Sequence, residues 1–390
     1  MRWQSQSLIP SCLLLPLVSG HVVPSPRPDT WGPGKVQAKT AIDAMMGFYN
    51  ETAGRWQPEI AWWLSGNALQ TLLDYMHKTG DASYMPQVLR TIDTQREPLD
   101  WWPEGGGYFR ADSTDDTGWW ALAMVRMFDV TGDATYLGYA RLDEDYMRSY
   151  WSDECGGGII WDIRRLVYKN AISNELYFAL AAALHNRLPG DEVYLNRSLE
   201  AWDWFEASGM INSAFLVNDG LTEDSCVNNN ATTWTYNQGV ILGGLVELYR
   251  ATKNQRYIAV AKQIADAVVG SGTLVVNGVL REPCEAAGDC DYNQQAFKGI
   301  FMRYLGVLDE VLCSTHPYRA FIRSNAETAW RGDRNETDYF DVSWHGPFDA
   351  ATVATQASAA SLMVAAMDLG AWERGGECGA TGGRVGSGVP

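Results

Sequence analysis

Two adjacent aspartates, Asp115 and Asp116, precede a tryptophan pair in the segment STDDTGWWALA at 113–123. Acidic residues before an apolar segment are typical of a helix start, where they complement free N–H groups and the positive end of the helix dipole. Two neighbouring carboxyl groups are also what glycoside hydrolysis needs, one to protonate the leaving oxygen and one to attack the anomeric carbon or activate water. The local sequence therefore has two interpretations, a helix cap and a catalytic pair.

The spacing of the two aspartates favours one stereochemical course if they are catalytic. Their Cα atoms are about 3.8 Å apart across one peptide bond. Side chains that diverge at a helix entrance suit the roughly 5 to 5.5 Å carboxyl separation of a retaining enzyme better than the wider separation of an inverting one. We expect retention, with Asp115 and Asp116 as the catalytic residues.

Aromatic and amide side chains recur near the starts of other predicted helices. Aromatic faces stack on sugar rings and amides bond to hydroxyls, so we expect these residues to bind substrate in one cleft. The alternative is structural, since tryptophans fill large cores and buried amides cross-link helices. The candidate substrate-binding residues are Trp62, Trp63, Trp119, Trp120, Asn174, Tyr236, Asn237, Gln238 and Lys298.

A helical hairpin recurs along the chain in steps of 52 to 63 residues, each marked by a tyrosine near its turn: Tyr84, Tyr136, Tyr194, Tyr257 and Tyr318. The first helix of each hairpin is almost wholly apolar and is predicted to be buried, whereas the second is amphipathic and is predicted to lie outside. A sixth apolar helix follows near the end. This pattern predicts an all-α fold, an (α/α)6 toroid that forms one domain over 31–372.

Two glycine-rich segments, EGGGYF at 104–109 and ECGGGIIWD at 154–162, precede predicted inner helices. We expect such loops to gather at one mouth of the toroid. They lack the lysine spacing of a phosphate-binding loop. The five histidines are scattered without metal-ligand spacing, and there is no G-x-S-x-G motif. We therefore expect no metal and no cofactor.

The 390-residue chain has a formal net charge of −17, which disfavours nucleic acids and leaves neutral polysaccharides as partners. Residues 1–20 have the pattern of a secretory signal peptide and 21–30 that of a proline-rich lead-in. No later segment has the about 20 apolar residues of a membrane helix. The glycine-rich tail at 373–390 lacks the hydrophobic end of a glycolipid anchor signal. We expect a secreted monomer without a membrane anchor.

Without Cys12 of the predicted signal peptide, six cysteines remain, an even number that favours disulfides in an oxidising compartment. Cys284 and Cys290 are close enough to close one loop, but the sequence does not select among all pairings. Four N-x-Ser/Thr sequons predict glycosylation where they are exposed. They begin at Asn50, Asn196, Asn230 and Asn335.

Five segments together, in this order, resemble glycoside hydrolase family 76, the endo-α-1,6-mannanases. They are WWLSGNALQTLLDYMHKTGD, DDTGWWALA, GGGIIWDIRRLVYKNAISNELYFALAAAL, TYNQGVILGGLVELY and FKGIFMRYL. The resemblance covers most of the chain after the signal peptide. It implies an (α/α)6 barrel and retaining hydrolysis of α-1,6-mannan without a required metal. It also implies that Asp115 is the nucleophile and Asp116 the general acid/base.

The family also contains anchored cell-wall proteins of yeast type that are thought to transfer glycans, and this sequence differs from them in lacking an anchor tail. The expected function is therefore a secreted retaining endo-α-1,6-mannosidase. Two alternatives are a cell-wall α-mannan transglycosidase and a non-catalytic mannan-binding wall protein. A sugar epimerase is less favoured because the predicted inner helices carry no histidine pair.

Overall fold

The computed structural model describes residues 34–57 and 61–367. These residues fall in one compact unit. The predicted signal peptide at 1–20, the lead-in at 21–30 and the tail at 373–390 lie outside the described residues. Within the described part of the chain, no helix has both the length and the apolar character to cross a membrane.

The described residues form an all-helical ring with two small hairpins. In chain order the helices are α1 (Lys35–Met46), α2 (Trp62–Thr79), α3 (Met85–Gln95), α4 (Thr114–Thr131), α5 (Ala134–Arg148), α6 (Ala171–Arg187), α7 (Val193–Ala207), α8 (Thr235–Thr252), α9 (Gln255–Val269), α10 (Phe297–Val311), α11 (Arg319–Gly332) and α12 (Val353–Ala366). The strands are β1 (Tyr49–Asn50), β2 (Arg55–Trp56), β3 (Val275–Val276) and β4 (Val279–Leu280). β1 pairs antiparallel with β2 and β3 with β4, with Tyr49 opposite Trp56 and Val275 opposite Leu280.

The even-numbered helices form the inner layer. Each packs against the next even-numbered helix, and α12 packs against α2, so the ring closes. The odd-numbered helices lie outside this ring, as α5 does on α4 and α7 on α6. The predicted (α/α)6 toroid is therefore confirmed.

Burial explains why the two layers differ in sequence. The inner helix α6 is buried continuously from Ala171 to Leu184, as its largely apolar sequence predicts, and the polar residues Ser173, Asn174 and Glu175 are buried with it. The outer helix α9 buries one stripe, which includes Tyr257, Ala261 and Val268. Residues three and four apart share one helix face, so this stripe faces the ring while the remaining positions face solvent.

Two glycines let neighbouring inner helices approach closely. A Cβ atom on Gly239 of α8 would lie 2.6 Å from the Cα of Phe301 in α10. A Cβ atom on Gly299 of α10 would lie 2.4 Å from the Cα of Ser358 in α12. The amide of Gly299 also donates to the Ser358 hydroxyl at 2.9 Å, which satisfies one of the free N–H groups of the first turn of α10.

We expect Gly299→Ala to lower the free energy of unfolding by about 1–3 kcal/mol, because the methyl group would meet backbone that cannot move aside. Gly138 in α5 is the matched control, since a Cβ atom there would meet nothing within 4 Å. Gly138→Ala should be neutral or stabilise by about 0.5–1 kcal/mol. Thermal melting of both variants checks this, and an equal loss in the two would contradict the close-approach argument.

Two disulfides join described residues, Cys155 to Cys226 and Cys284 to Cys290. The second is the predicted loop closure. Cys313 is also disulfide-bonded, while Cys12 and Cys378 lie outside the described residues.

The four sequons differ in exposure. Asn196 and Asn230 are exposed, whereas Asn50 and Asn335 are half-buried. The Asn50 amide nitrogen donates to Gln57 at 2.8 Å, so a glycan there would have to displace this bond. Glycosylation stays a prediction at all four sequons, and Asn196 and Asn230 are the more accessible sites.

Candidate active site

The first turn of α4 is fixed by the segment that follows the CGGG loop. The amide of Thr114 donates to the carbonyl of Trp161 at 3.0 Å, and the Thr114 hydroxyl donates to the carbonyl of Ile160 at 2.8 Å. Asp115 and Asp116 follow in this turn and are half-buried. The helix start therefore holds both carboxyl groups in place, and the positive end of the helix dipole favours negative charge there.

The two aspartates lie in different hydrogen-bonding environments. The Asp115 carboxylate accepts from the indole N–H of Trp161 at 3.0 Å and from the amide of Asp116 at 3.0 Å. Burial raises the pKa of Asp115 to about 6, although these hydrogen bonds lower it. Burial raises the pKa of Asp116 well above its usual range, and the nearby charges of Asp115 and Asp112 raise it further. Of the pair, Asp115 is thus the group that ionises more readily and Asp116 the group that keeps its proton.

Both aspartates line a cavity of about 260 Å³ at the mouth of the toroid. The cavity lies between the starts of α4 and α10, which are opposite members of the six-helix ring. Its wall combines aromatic, acidic and amide side chains: Trp63, Ser113, Asp115, Asp116, Trp119, Trp161, Trp234, Tyr236, Asp291, Asn293, Gln294 and Phe297.

Two aromatic pairs form the apolar part of this wall. Tyr236 and Phe297 stack with their ring centroids 3.9 Å apart and their planes inclined by 6°. Trp63 and Trp119 stack at 5.6 Å, and the Trp119 ring lies 6.5 Å from that of Tyr236. Such rings present flat apolar faces beside the carboxyl groups, as sugar-binding clefts require.

Five of the predicted site residues line this cavity together: Asp115, Asp116, Trp63, Trp119 and Tyr236. The other six do not. Trp62 donates to Gln95 at 2.9 Å, and Trp120 is fully buried and stacked against Phe109. The packing of the helix ends turns the Trp62 and Trp120 rings into the core, so their positions lend no support to the predicted substrate contacts.

Lys298 is likewise buried away from the cavity. Its ammonium pairs with Glu285 at 2.8 Å and lies 4.4 Å from the centre of the Trp344 ring. This position lends no support to the predicted substrate contact of Lys298, and the side chain instead joins α10 to the loop before it.

The fourth residue of an inner helix holds the backbone of the preceding loop. Asn174 in α6 accepts from the amide of Ile159 at 2.6 Å and donates to its carbonyl at 3.0 Å. Gln238 in α8 bonds Val217 in the same two ways, at 2.7 and 2.8 Å. The equivalent residues Ser65, Thr117 and Gln356 accept from the backbone amides of Trp56 in β2 and of the loop residues Ala111 and Phe340. Asn174 and Gln238 thus have a structural role in holding these loops, and their positions lend no support to the predicted sugar contacts.

Asn237 is fully buried, and its amide group has no hydrogen-bond partner among the described residues. It does not line the cavity. Its predicted contact with substrate is not supported by its position.

The loop that carries Trp161 is fixed by a buried lysine. The Lys169 ammonium donates to the carbonyls of Ser152 at 2.8 Å and Gly158 at 3.1 Å, and also to those of Glu154 and Gly157. Burial lowers the pKa of Lys169 to about 8. The Cys155–Cys226 disulfide ties the same loop to the segment before α8. These contacts hold the loop that aims the Trp161 indole at Asp115.

Several cavity residues were not among the predicted site residues, notably Trp161, Trp234, Phe297, Asp291 and Asn293. Trp161 belongs to a glycine-rich segment that the sequence already places at the mouth, so this position was the available signal. Asp291 and Asn293 lie in a loop whose approach to the cavity depends on tertiary contacts far apart in sequence. Among the described residues, no group of three or more His, Cys, Asp and Glu side chains is arranged to hold a metal ion.

The chain is similar in sequence to known proteins. A mannan endo-1,6-alpha-mannosidase of Saccharomyces cerevisiae is 26% identical over 340 residues, which cover 81% of this chain and 74% of the relative. A putative mannan endo-1,6-alpha-mannosidase of Schizosaccharomyces pombe is 28% identical over 282 residues, with 67% of this chain and 63% of the relative covered. The chain therefore spans about three quarters of the first relative and less than two thirds of the second.

A solved structure has the same fold. It is an inactive variant of an alpha-1,6-mannanase of a Salegentibacter species, with two neighbouring aspartates replaced by alanine, in complex with alpha-1,6-mannotetrose. It matches with a TM-score of 0.75 and 25% identity over 85% of this chain and 98% of that one. The family model of glycosyl hydrolase family 76 matches residues 35–371. The chain is thus a glycoside hydrolase and belongs to glycosyl hydrolase family 76.

Proposed function

We propose that this protein is a retaining endo-α-1,6-mannosidase that cleaves α-1,6-mannan through a covalent glycosyl-enzyme intermediate. The observation that carries the proposal is the pair of adjacent carboxyl groups in a cavity walled by stacked aromatic rings. The mannan-cleaving relatives, and the mannanase that is inactive when two neighbouring aspartates are replaced, support the same substrate class and the same type of residue.

In this mechanism the Asp115 carboxylate attacks C1 of the mannoside while Asp116 gives its proton to the departing glycosidic oxygen. The C1–oxygen bond breaks and an ester to Asp115 forms. Asp116, now ionised, then removes a proton from water, which attacks C1 and releases the sugar with its original configuration. The unequal pKa values of the two carboxyl groups suit these roles, because the nucleophile must be ionised and the acid protonated at the start.

Incubation with unbranched α-1,6-mannan, followed by proton NMR, tests the proposal. We expect the first reducing ends to be α-configured and β-configured ends to appear later by mutarotation. Early β-configured products would contradict retention, and intact mannan would contradict the mannanase function. Products longer than an added oligosaccharide would instead favour the transglycosidase alternative, since sugar as well as water can release the ester.

The hydrogen bond from Trp161 to Asp115 gives a pH prediction. This bond lowers the pKa of Asp115, so Trp161→Phe should raise that pKa and move the acidic limb of kcat/KM to higher pH. We expect a shift of about one pH unit, the size of a hydrogen bond to a charged group. Trp330→Phe is the control, because Trp330 lies on outer helix α11. An unmoved acidic limb in Trp161→Phe would contradict the assigned role of the bond.

We further propose that the protein is secreted. The signal-like sequence at 1–20 supports this, as do the two disulfides joining described residues, since disulfides persist in oxidising compartments. Mannan as a substrate fits an extracellular enzyme. N-terminal sequencing of the protein from culture medium tests the proposal.

A further inference from the structure

The loop before α10, which we call the entry loop (residues 281–296), contains two short 3-10 helices, Pro283–Ala286 and Gln294–Ala296, and is held at several points. Its Glu282 carboxylate is buried and accepts from the amide and the hydroxyl of Thr235 at the start of α8. The Cys284–Cys290 disulfide closes the loop, and Glu285 pairs with Lys298 of α10 at 2.8 Å. A loop fixed to two inner helices is pre-organised to present side chains to the cavity.

Three entry-loop side chains line the cavity, and each uses one end to hold the loop. Asp291 accepts through Oδ1 from the amides of Asn293 and Gln294, both at 2.9 Å. The side-chain oxygen Oε1 of Gln294 accepts from the backbone amide of Asp291 at 3.0 Å. The side-chain oxygen Oδ1 of Asn293 accepts from the indole N–H of Trp63 at 3.0 Å. The side chains are therefore fixed in orientation by bonds that leave their other polar atoms unused.

The unused atoms are Oδ2 of Asp291, Nδ2 of Asn293 and Nε2 of Gln294, for which the described residues provide no hydrogen bond. They supply one charged acceptor and two N–H donor groups in four consecutive positions of the chain. Adjacent hydroxyl groups of a hexose both donate and accept, so this set matches a pair of sugar hydroxyls. Because α10 lies across the ring from α4, the set faces the catalytic pair from the opposite wall.

We propose that Asp291, Asn293 and Gln294 form a subsite for a mannose residue next to the one attacked by Asp115. This inference rests on the proposed function, because it takes the ligand to be an α-1,6-linked mannose chain. The stacked rings of Tyr236 and Phe297 connect the subsite to the catalytic wall. The entry loop thereby sets where along a mannan chain the enzyme cuts.

Two conservative variants test the subsite. Asp291→Asn keeps an oxygen for the two backbone amides but removes the charged acceptor. Asn293→Asp keeps the oxygen that accepts from Trp63 but removes the N–H donor. The matched control is Asp289→Asn, the same change of charge in the same loop at an exposed residue that does not line the cavity. Melting temperatures of all three should stay close to that of the wild type.

The readout is cleavage of α-1,6-mannotetraose, both as kcat/KM and as the ratio of the possible product pairs. We expect Asp291→Asn and Asn293→Asp to lose about five- to tenfold in kcat/KM, mainly through KM, and to change the product ratio. Mannotetraose can bind in several positions, each of which places a different linkage at the catalytic pair. A residue that contacts a neighbouring sugar changes the relative stability of these binding positions, whereas a residue that contacts only the attacked sugar changes the stability of all of them equally. Asp289→Asn should change neither quantity.

An unchanged product ratio in both variants would overturn the subsite, even if the rate fell. An equal change in Asp289→Asn would also overturn it, because the effect would then arise from loop charge alone. Failure of the wild-type enzyme to cleave any α-1,6-manno-oligosaccharide is a different result. It would overturn the proposed function, and with it the subsite that depends on it.

Discussion

Asp115→Ala is expected to reduce hydrolysis of α-1,6-mannan by about 10⁴-fold or more, the scale of losses seen when a residue that forms the covalent intermediate is removed. No other described residue has its combination of cavity position, an indole N–H donor and a carboxyl pKa of about 6. The control is Asp133→Asn, which removes a negative charge at an exposed helix cap where asparagine also caps well. Reducing-end release measures both rates.

The stability of Asp115→Ala separates lost chemistry from lost folding. The pKa values of Asp115 and Asp116 are raised above the about 3.9 of an unfolded aspartate. A raised pKa means that the favourable contribution of the pair is full below about pH 4 and is lost as pH rises through about 6 for Asp115 and higher for Asp116. At pH 7 an ionised carboxyl with a raised pKa therefore destabilises the folded protein. Removing one carboxyl removes this destabilisation, so Asp115→Ala should melt no lower than the wild type at pH 7. A variant that is inactive because it is unfolded would contradict the assignment.

Asp116→Asn is expected to slow cleavage of mannan by about 10²- to 10⁴-fold, the usual contribution of general acid catalysis. A mannoside with a good leaving group, such as a dinitrophenyl glycoside, needs no proton for the first step, so formation of the ester should be largely retained. Release of the ester would then be slow, because the base is missing. Added azide, a nucleophile that needs no base, should restore turnover and give the α-mannosyl azide.

The same variant predicts a change in pH dependence. Burial and the charge of Asp115 hold the pKa of Asp116 well above the usual range, so we expect ionisation of Asp116 to limit the wild-type rate on the alkaline side. Asp116→Asn should lose this alkaline limb. Full activity of Asp116→Asn on mannan, or an alkaline limb that persists, would contradict the role of Asp116 as the acid.

The architecture could be predicted from the sequence because the repeat is visible as a recurring pattern of apolar and amphipathic helices. Continuous burial in α6 and a single buried stripe in α9 follow directly from their residue patterns. The position of Asp115 and Asp116 in the cavity could also be predicted, since two acids at a helix start beside aromatic residues are a local feature. The 284–290 disulfide was predictable because its cysteines are close in sequence.

The roles of the amides were not predictable in the same way. Asn174 and Gln238 do occupy equivalent places in the repeat, as the sequence indicates, but the equivalence arises because each clamps the loop before its helix. A polar side chain at a repeated position has the same sequence signature whether it bonds backbone or sugar. Similarly, Trp62 and Trp63 are adjacent, and only the direction of each ring decides that one is core and the other cavity wall.

The position of the entry loop at the cavity could not be predicted from the sequence, for another reason. Its contacts join residues far apart in the chain, as in the bond between Trp63 and Asn293. No local feature of the sequence indicates that this loop lies opposite α4. Ring closure, which is a property of the whole toroid, brings the two walls of the cavity together.

The most direct test of the account is to trap the intermediate on Asp115. A manno-configured cyclitol epoxide carrying one α-1,6-linked mannose would be opened by the nucleophile with proton donation from the acid, leaving a stable ester. Mass spectrometry of the digested protein should find the adduct on the peptide that contains 113–123, with fragment ions placing it on Asp115, and none in Asp115→Ala. An adduct on Asp116, or mannan cleavage by a protein that is not labelled, would contradict the central claim.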